Sequence, residues 1–166
     1  MKILVIGGDG MIGKSLTQAL RDRGNNVLTT SRKGTGDIDF DLMNTNVILP
    51  SVDAVFFCEA MTRFIECEDD ERAYSCNVDA PIEIAKIYRG SLTSFVYLSS
   101  EAVERCLHTN YGMMKALAEM GLRAVCNPVI ARLSKVTPDT VENVSRFLIG
   151  LLAQGPGIYR WPNDPR

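Results

Sequence analysis

Apolar residues in this chain come in short blocks, set apart by glycines and by helically spaced stretches. Ile3-Leu4-Val5-Ile6 is a continuous apolar run closed by Gly7-Gly8, the mark of a strand buried on both faces. Met11, Ile12, Leu16, Ala19 and Leu20 then recur at three- and four-residue steps up to Gly24, which predicts a helix ending at a C′ glycine. Further strands are expected at Asn26–Thr30, Ile38–Leu42, Asp53–Phe57, Ser94–Leu98 and, broken by Pro128, within Arg123–Leu133. Helices are expected over Glu68–Tyr88, over Asn110–Met120 and over Asp139–Ala153, the first interrupted near Pro81 with Asp79 capping a new start. Gly157 to Arg160 follow the last helix without an assignment. Strands alternating with helices, several of them apolar on both faces, predict a parallel sheet covered on both sides. Right-handed crossovers make that an α/β, Rossmann-like doubly wound fold of three α/β/α layers.

Length and composition agree with this picture. The 166 residues make about one domain and can bury roughly 70% of the unfolded surface without a disulfide or metal. No repeat, low-complexity segment or linker divides the chain, so residues 1–166 are expected to form a single domain. Hydrophobic residues make up 46% and charged residues 23%, which excludes a disordered, collagen-like or coiled-coil chain. A formal charge of −2 carries none of the basic footprint of a nucleic-acid binder. The five cysteines (Cys58, Cys67, Cys76, Cys106, Cys126) contain no C-x-x-C pair and there is one histidine, His108. No metal site is expected, and the thiols are read as reduced. The opening apolar run is too short for a signal peptide and no stretch approaches a membrane span; the expected location is the cytoplasm.

Candidate chemistry begins at the glycine turn. Two spacings coexist in Gly7-Gly8-Asp9-Gly10-Met11-Ile12-Gly13: G-x-G-x-x-G from Gly8, and G-x-x-G-x-x-G from Gly7. Set between strand and helix, either allows close backbone approach to a pyrophosphate, and the helix start at Met11 and Ile12 offers free N–H groups to it. An NAD-preferring site would carry an acid about 20 residues further on, for the ribose 2′-hydroxyl. Here Ser31-Arg32-Lys33 stand instead, with no acid before Asp37. Two cations and a hydroxyl suit a 2′-phosphate, so NADP (NADPH) is expected over NAD. Tyr111 and Lys115 lie one helical turn apart on one face, where an ammonium can stabilise a phenolate. Ser99-Ser100 end the fifth strand, at the edge where open α/β sheets bind their ligands.

With these residues in place, the chain resembles the short-chain dehydrogenase/reductases of the extended, NAD(P)-dependent epimerase/dehydratase type. Within that group it is most similar to nucleotide-sugar enzymes such as dTDP-4-dehydrorhamnose reductase. The match runs through nearly the whole chain: Gly7, Gly10 and Gly13; Asp41, followed by Leu42, after the third strand; Cys58-Glu59-Ala60 with Thr62 behind; Asn77; Ser100 in Ser-x-x-Val; and Tyr111 with Lys115. The resemblance implies that Tyr111 exchanges a proton with the substrate oxygen. Lys115 holds the nicotinamide ribose and lowers the phenol's pKa, and Ser100 hydrogen-bonds the reacting carbonyl. It also implies that Asp41 meets the adenine, and that Cys58, Glu59, Ala60 and Asn77 line the cofactor site.

Departures from the family pattern cluster on the substrate side. Only ten residues separate Ser100 from Tyr111, and Arg132-Leu133-Ser134 passes almost directly to the last helix. The segment carrying much of the family's nucleotide-sugar pocket is missing, which argues for a small substrate and a reduced C-terminal substrate region. Glu59 replaces a small apolar residue; it is read as a ribose acceptor, as a charge that repels the cofactor's phosphates, or as a side chain turned to solvent. The acidic run Glu66, Glu68, Asp69, Asp70, Glu71 is expected to open a helix, and His108 is given no role. The expected function is an NADP-dependent oxidoreductase, or an epimerase or dehydratase, working on a carbonyl or alcohol of a small or sugar-like substrate. The alternative is a catalytically weak NAD(P)-binding module that senses cofactor or serves a partner protein. Ile84, Ile87, Tyr88, Met113, Leu117 and Met120 are candidates for a homodimer face, or for core.

Overall fold

The computed structural model describes residues 1–162. Seven parallel strands form one sheet in the order β3-β2-β1-β4-β5-β6-β7. These are β1 Lys2–Ile6, β2 Asn26–Ser31, β3 Ile38–Asp39, β4 Ala54–Phe57, β5 Ser94–Ser100, β6 Val129–Leu133 and β7 Gly157–Trp161. Helices α1 Met11–Arg21 and α7 Val141–Leu151 pack together. Helices α4 Ala80–Ile87 and α6 Asn110–Val125 pack on each other, with the short helices α2 Phe64–Asp69, α3 Arg72–Tyr74 and α5 Ala102–Arg105 near them.

Two cores explain why the strands read as unbroken apolar runs. Ile3, Val5, Phe56 and Val96 pack with Leu16, Leu20, Val144 and Leu148 of α1 and α7. The alternate residues Leu4, Ile6, Val55, Phe57 and Phe95 pack with Ile84, Ala118 and Leu122 of α4 and α6. Each residue is fully or nearly fully buried, worth about 1.5–3 kcal/mol per large side chain. With both faces covered, Ile3–Ile6 of β1 and the whole of β4 are apolar, and a polar residue such as Ser99 of β5 is buried only with a hydrogen-bond partner. The strand order, with its reversal beside β1, is that of the doubly wound Rossmann-like fold.

Several boundaries differ from expectation. Helix α6 runs on to Val125, because Ala118 and Leu122 continue its buried face. Strand β6 therefore starts only after Pro128, whose missing N–H cannot join a ladder. Pro81 does not break its helix: the turn before it, Ser75–Asp79, widens to a π-helix, and Pro81 sits in the first turn of α4. Asp79 is helical there and caps nothing. Strand β3 is only two residues long, since Phe40 and Leu42 turn into the core. The acidic run straddles two helices: Glu66, Glu68 and Asp69 lie in α2, while Asp70 and Glu71 stand at the start of α3, where Asp70 accepts the Arg72 N–H at 2.9 Å. Glu68 also accepts the Asn110 N–H at 2.8 Å, at the start of α6. Strand β7 escaped the sequence reading because it is an edge strand of partly exposed residues, paired only with β6. Among the described residues, no helix is long and apolar enough to cross a membrane.

Candidate active site

The turn after β1 is shaped by backbone contacts that tolerate no side chain. Gly7 adopts φ +81°, and a β-carbon on Gly13 would lie 2.0 Å from the Gly7 carbonyl oxygen. Helix α1 is thereby drawn tight against the turn, with Gly10 at its N-cap. No side chain caps it and no acid stands in its first turn, so the N–H groups of Met11, Ile12 and Gly13 and the positive end of the dipole are left for an anionic ligand. These are features a dinucleotide pyrophosphate fits.

Beyond β2 the residues divide. Ser31 is buried and committed: its hydroxyl donates to Asp9 at 3.1 Å, sits 3.0 Å from Thr35 Oγ1 and accepts the Lys33 N–H. Lys33 faces a cleft with Asp9, Lys14 and Arg21, while Arg32 lines another with Asp39, Phe40 and Asp41. The two cations therefore stand on different sides of the chain rather than forming one clamp. Asp37 is structural, accepting the Thr29 N–H at 2.8 Å and pairing with Arg21. An acid does stand beside the end of β2, but it is Asp9 of the glycine turn; only folding brings it there. Asp41 accepts the Met43 N–H at 3.0 Å, and Leu42 lies in the core.

At the end of β4, Cys58 and Ala60 face the same cavity, with Glu59 between them turned toward the glycine turn. Burial pushes the Cys58 thiol far up, out of reach of ionisation near neutral pH. Asn77 stands behind this segment rather than in the cavity. Its amide donates to the Met61 carbonyl and accepts the Met61 N–H, both at 2.9 Å, and so pins the loop after β4 to the π-helical turn.

One cavity of about 590 Å³ gathers Ser100, Tyr111 and Lys115 with Met11, Ile12, Cys58, Ala60 and Thr62. Ser100 ends β5 and receives the Ala102 N–H at 3.2 Å, holding the start of α5. Thr109 caps α6 by accepting the Gly112 N–H at 3.1 Å; this sets Tyr111 in the first turn, facing inward. Burial raises the Tyr111 pKa, and a hydrogen bond from the Ser100 side chain works against that rise. Lys115, expected to lower the phenol's pKa, is directed elsewhere: its Nζ donates to Tyr97 Oη at 3.1 Å and to the Leu98 carbonyl at 2.9 Å, and lies 6.0 Å from the Tyr111 ring centre. Its own pKa is pushed down to about 8 by burial, with Glu119 pulling it back up.

Glu119 anchors a network invisible in the sequence. It accepts from Ser99 Oγ at 2.6 Å and from Arg132 Nε and Nη2 at 2.9 and 2.6 Å. Arg132 continues to Glu104, which also binds Arg160. Strands β5, β6 and β7 are thus tied to α5 and α6 beside the cavity. Sequence reasoning also missed Phe64, whose ring stands edge-on to Tyr111 at 5.3 Å, and the basic residues Arg105 and Lys135 on the cavity wall. A helix beginning at Phe64 rather than Glu68 was the signal for the first. His108 is exposed. Among the described residues, no group of three or more His, Cys, Asp or Glu could hold a metal.

A glycine turn on a doubly wound parallel sheet, opening into a cavity that gathers Ser100, Tyr111 and Lys115, defines the class as Rossmann-like. A family model described as RmlD substrate binding domain matches residues 1–159, and the chain belongs to that family. No curated protein matches it in sequence. Similar solved structures include a dTDP-4-dehydrorhamnose reductase of Clostridium acetobutylicum, at 18% identity and TM-score 0.81, covering 96% of this chain and 73% of the other. The Bacillus anthracis dTDP-4-dehydrorhamnose reductase in complex with NADP is 16% identical, with TM-score 0.80 and coverage of 98% and 75%. MoeE5 in complex with UDP-glucose and NAD is 21% identical, with TM-score 0.83 and coverage of 96% and 75%.

Proposed function

We propose that the protein is an NAD(P)-dependent oxidoreductase acting on a carbonyl or alcohol of a small or sugar-like substrate. The observation that carries this is the single cavity in which Ser100, Tyr111 and Lys115 meet the first turn of α1 behind the glycine motif. Family membership and the NADP- and nucleotide-sugar-bound relatives support it. The cofactor, when bound, supplies or accepts the hydride. In the reductive direction Tyr111 Oη gives its proton to the carbonyl oxygen as that oxygen gains charge, and Ser100 hydrogen-bonds the same oxygen. Lys115 is assigned to the nicotinamide ribose. Gly7, Gly10, Met11, Ile12 and Gly13 bind the pyrophosphate; Arg32, Lys33, Asp41, Cys58, Glu59 and Ala60 border the rest of the dinucleotide, Leu42 lies in the core beside Asp41, and Asn77 shapes the loop that carries Thr62.

NADPH is the preferred form on this reading, supported by Arg32 and Lys33. A cavity of about 590 Å³ that must admit a nicotinamide ring as well as substrate leaves room for one small or sugar-sized group, consistent with a single domain over 1–166 whose substrate region is reduced. The cytoplasm is its proposed location, in keeping with five free cysteines. As for a homodimer, Ile84 and Tyr88 belong to the core, which leaves Ile87, Met113 and Met120 as the exposed apolar side chains that a second copy would cover. The deciding experiment is titration with NADPH followed by a carbonyl-substrate screen on wild type and Tyr111→Phe. The variant should bind NADPH nearly as well and turn over ~10²–10⁴-fold more slowly. A substrate reduced equally fast by both proteins overturns the chemistry.

A further inference from the structure

Glu59 stands against the glycine turn, just after β4 and between the cavity-lining Cys58 and Ala60. A β-carbon placed on Gly7 would lie 2.9 Å from that of Glu59, so the side chain leaves β4 directly opposite the glycine turn. Its Oε2 is buried and has no hydrogen-bond partner. The charged and titratable groups that act on it come from several elements. Asp9 comes from the glycine turn, Arg32 from the end of β2, Asp41 from beyond β3, and the thiols of Cys58 and Cys76 from β4 and the π-helical turn. Two carboxylates and two thiols thus stand against a single cation.

An ionised carboxylate with a buried, unanswered oxygen is unfavourable, and two neighbouring carboxylates make it worse. Burial, then Asp9 and Asp41, push the Glu59 pKa up to about 7, with Arg32 pulling the other way. The ligand proposed for this cleft carries two negative phosphates, which an ionised Glu59 would repel. A protonated Glu59 instead brings a hydrogen-bond donor to an oxygen-rich ligand. We propose that Glu59 serves the dinucleotide cleft as a neutral carboxylic acid, donating a hydrogen bond to an oxygen of the bound cofactor, so that cofactor binding takes up a proton. This rests on the NAD(P) reading above and adds to it a pH-dependent affinity set by one residue.

The test is calorimetric titration with NADH, chosen because it lacks the 2′-phosphate, whose own ionisation falls near pH ~6. Wild type and Glu59→Gln are compared at pH 6, 7 and 8, each in two buffers of different ionisation heat. The amide keeps the shape and the donor but cannot titrate, and the contribution of Lys115 is common to both proteins. With a free-protein value of about 7, the ratio of wild-type to variant Kd should rise about tenfold from pH 6 to pH 8. At pH 7 wild type should take up about half a proton per NADH more than Glu59→Gln, which keeps only the small share due to Lys115. A ratio that does not change with pH, or no proton uptake by wild type at pH 7, overturns the proposal. The uptake measurement needs no variant, so it decides even if Glu59→Gln fails to fold. Absence of NADH and NADPH binding at every pH is a different result: it overturns the dinucleotide reading, and the role of Glu59 with it.

Discussion

Replacing Glu119 with alanine removes the carboxylate on which the buried Arg132 guanidinium depends. Glu119 is 4% exposed, and the Arg132 side chain 12%. Their two-pronged contact, at 2.9 and 2.6 Å, holds α6 against β6. Breaking a buried pair from one side typically costs about 3–5 kcal/mol, because the remaining charge stays buried without its partner. Arg132 keeps Glu104 as a second acceptor, which places the cost at the lower end, about 3 kcal/mol. Ser99 also loses its acceptor, worth about 1 kcal/mol more. At about 2–4 °C per kcal/mol for a chain of this length, Tm should fall by roughly 8–16 °C. Urea unfolding of wild type, Glu119→Leu, Arg132→Met and the double variant Glu119→Leu/Arg132→Met closes the cycle and measures the coupling directly, with Glu119→Ala measured beside it. The double variant should be more stable than either single charge deletion, since an apolar pair carries no stranded charge. A loss below about 1 kcal/mol for Glu119→Ala, or strictly additive single effects, refutes the view that this pair is a closed unit.

Other changes test the cofactor end. Arg32→Asp should narrow or invert the preference for NADPH over NADH, read as the ratio of their Kd values; equal affinities in wild type would sink the assignment of Arg32 to a 2′-phosphate. Lys115→Met should weaken dinucleotide binding and also leave a signature in stability against pH. Burial holds the Lys115 pKa at about 8 in the folded protein, against about 10.5 for a lysine in the unfolded chain. Between those values the unfolded chain therefore holds more protons, and wild type gains stability relative to the variant as pH rises. The stability difference between the two proteins should move toward wild type by roughly 2–3 kcal/mol from pH 7 to pH 10 in chemical denaturation. A difference that stays constant would show that Lys115 is not buried as a cation.

The glycine turn and the Tyr111–Lys115 pair were legible because their requirements are local. A tight turn between strand and helix needs glycines at fixed spacing, and Gly7, Gly10 and Gly13 sit together in the fold as they do in the chain. Tyr111 and Lys115 are likewise neighbours on one helix. What escaped is what only folding brings together. Asp9 reaches Ser31 across 22 positions, and Glu119 meets Arg132 and Ser99 from three elements. Helix periodicity carried the α6 face past Met120, yet the apolar letters from Val125 onward also suited a strand; the missing N–H of Pro128 decided the boundary. Strand β7 carries no buried run, so pattern alone had no hold on it.

The folded site also bears on the direction in which the proposed chemistry is poised. Lys115 spends its ammonium on Tyr97 and the Leu98 carbonyl rather than on Tyr111, and burial outweighs the Ser100 hydrogen bond, so the phenol stays above its ordinary pKa. Near neutral pH such a phenol is protonated. Reduction of a carbonyl consumes a proton at the substrate oxygen, and a protonated Tyr111 is ready to supply it. Oxidation of an alcohol would need the phenolate first, at a cost of about 1.4 kcal/mol for every pH unit below the phenol's pKa. On the proposed chemistry, the same burial that makes Tyr111 a poor base therefore favours it as an acid, and the resting site is set for reduction.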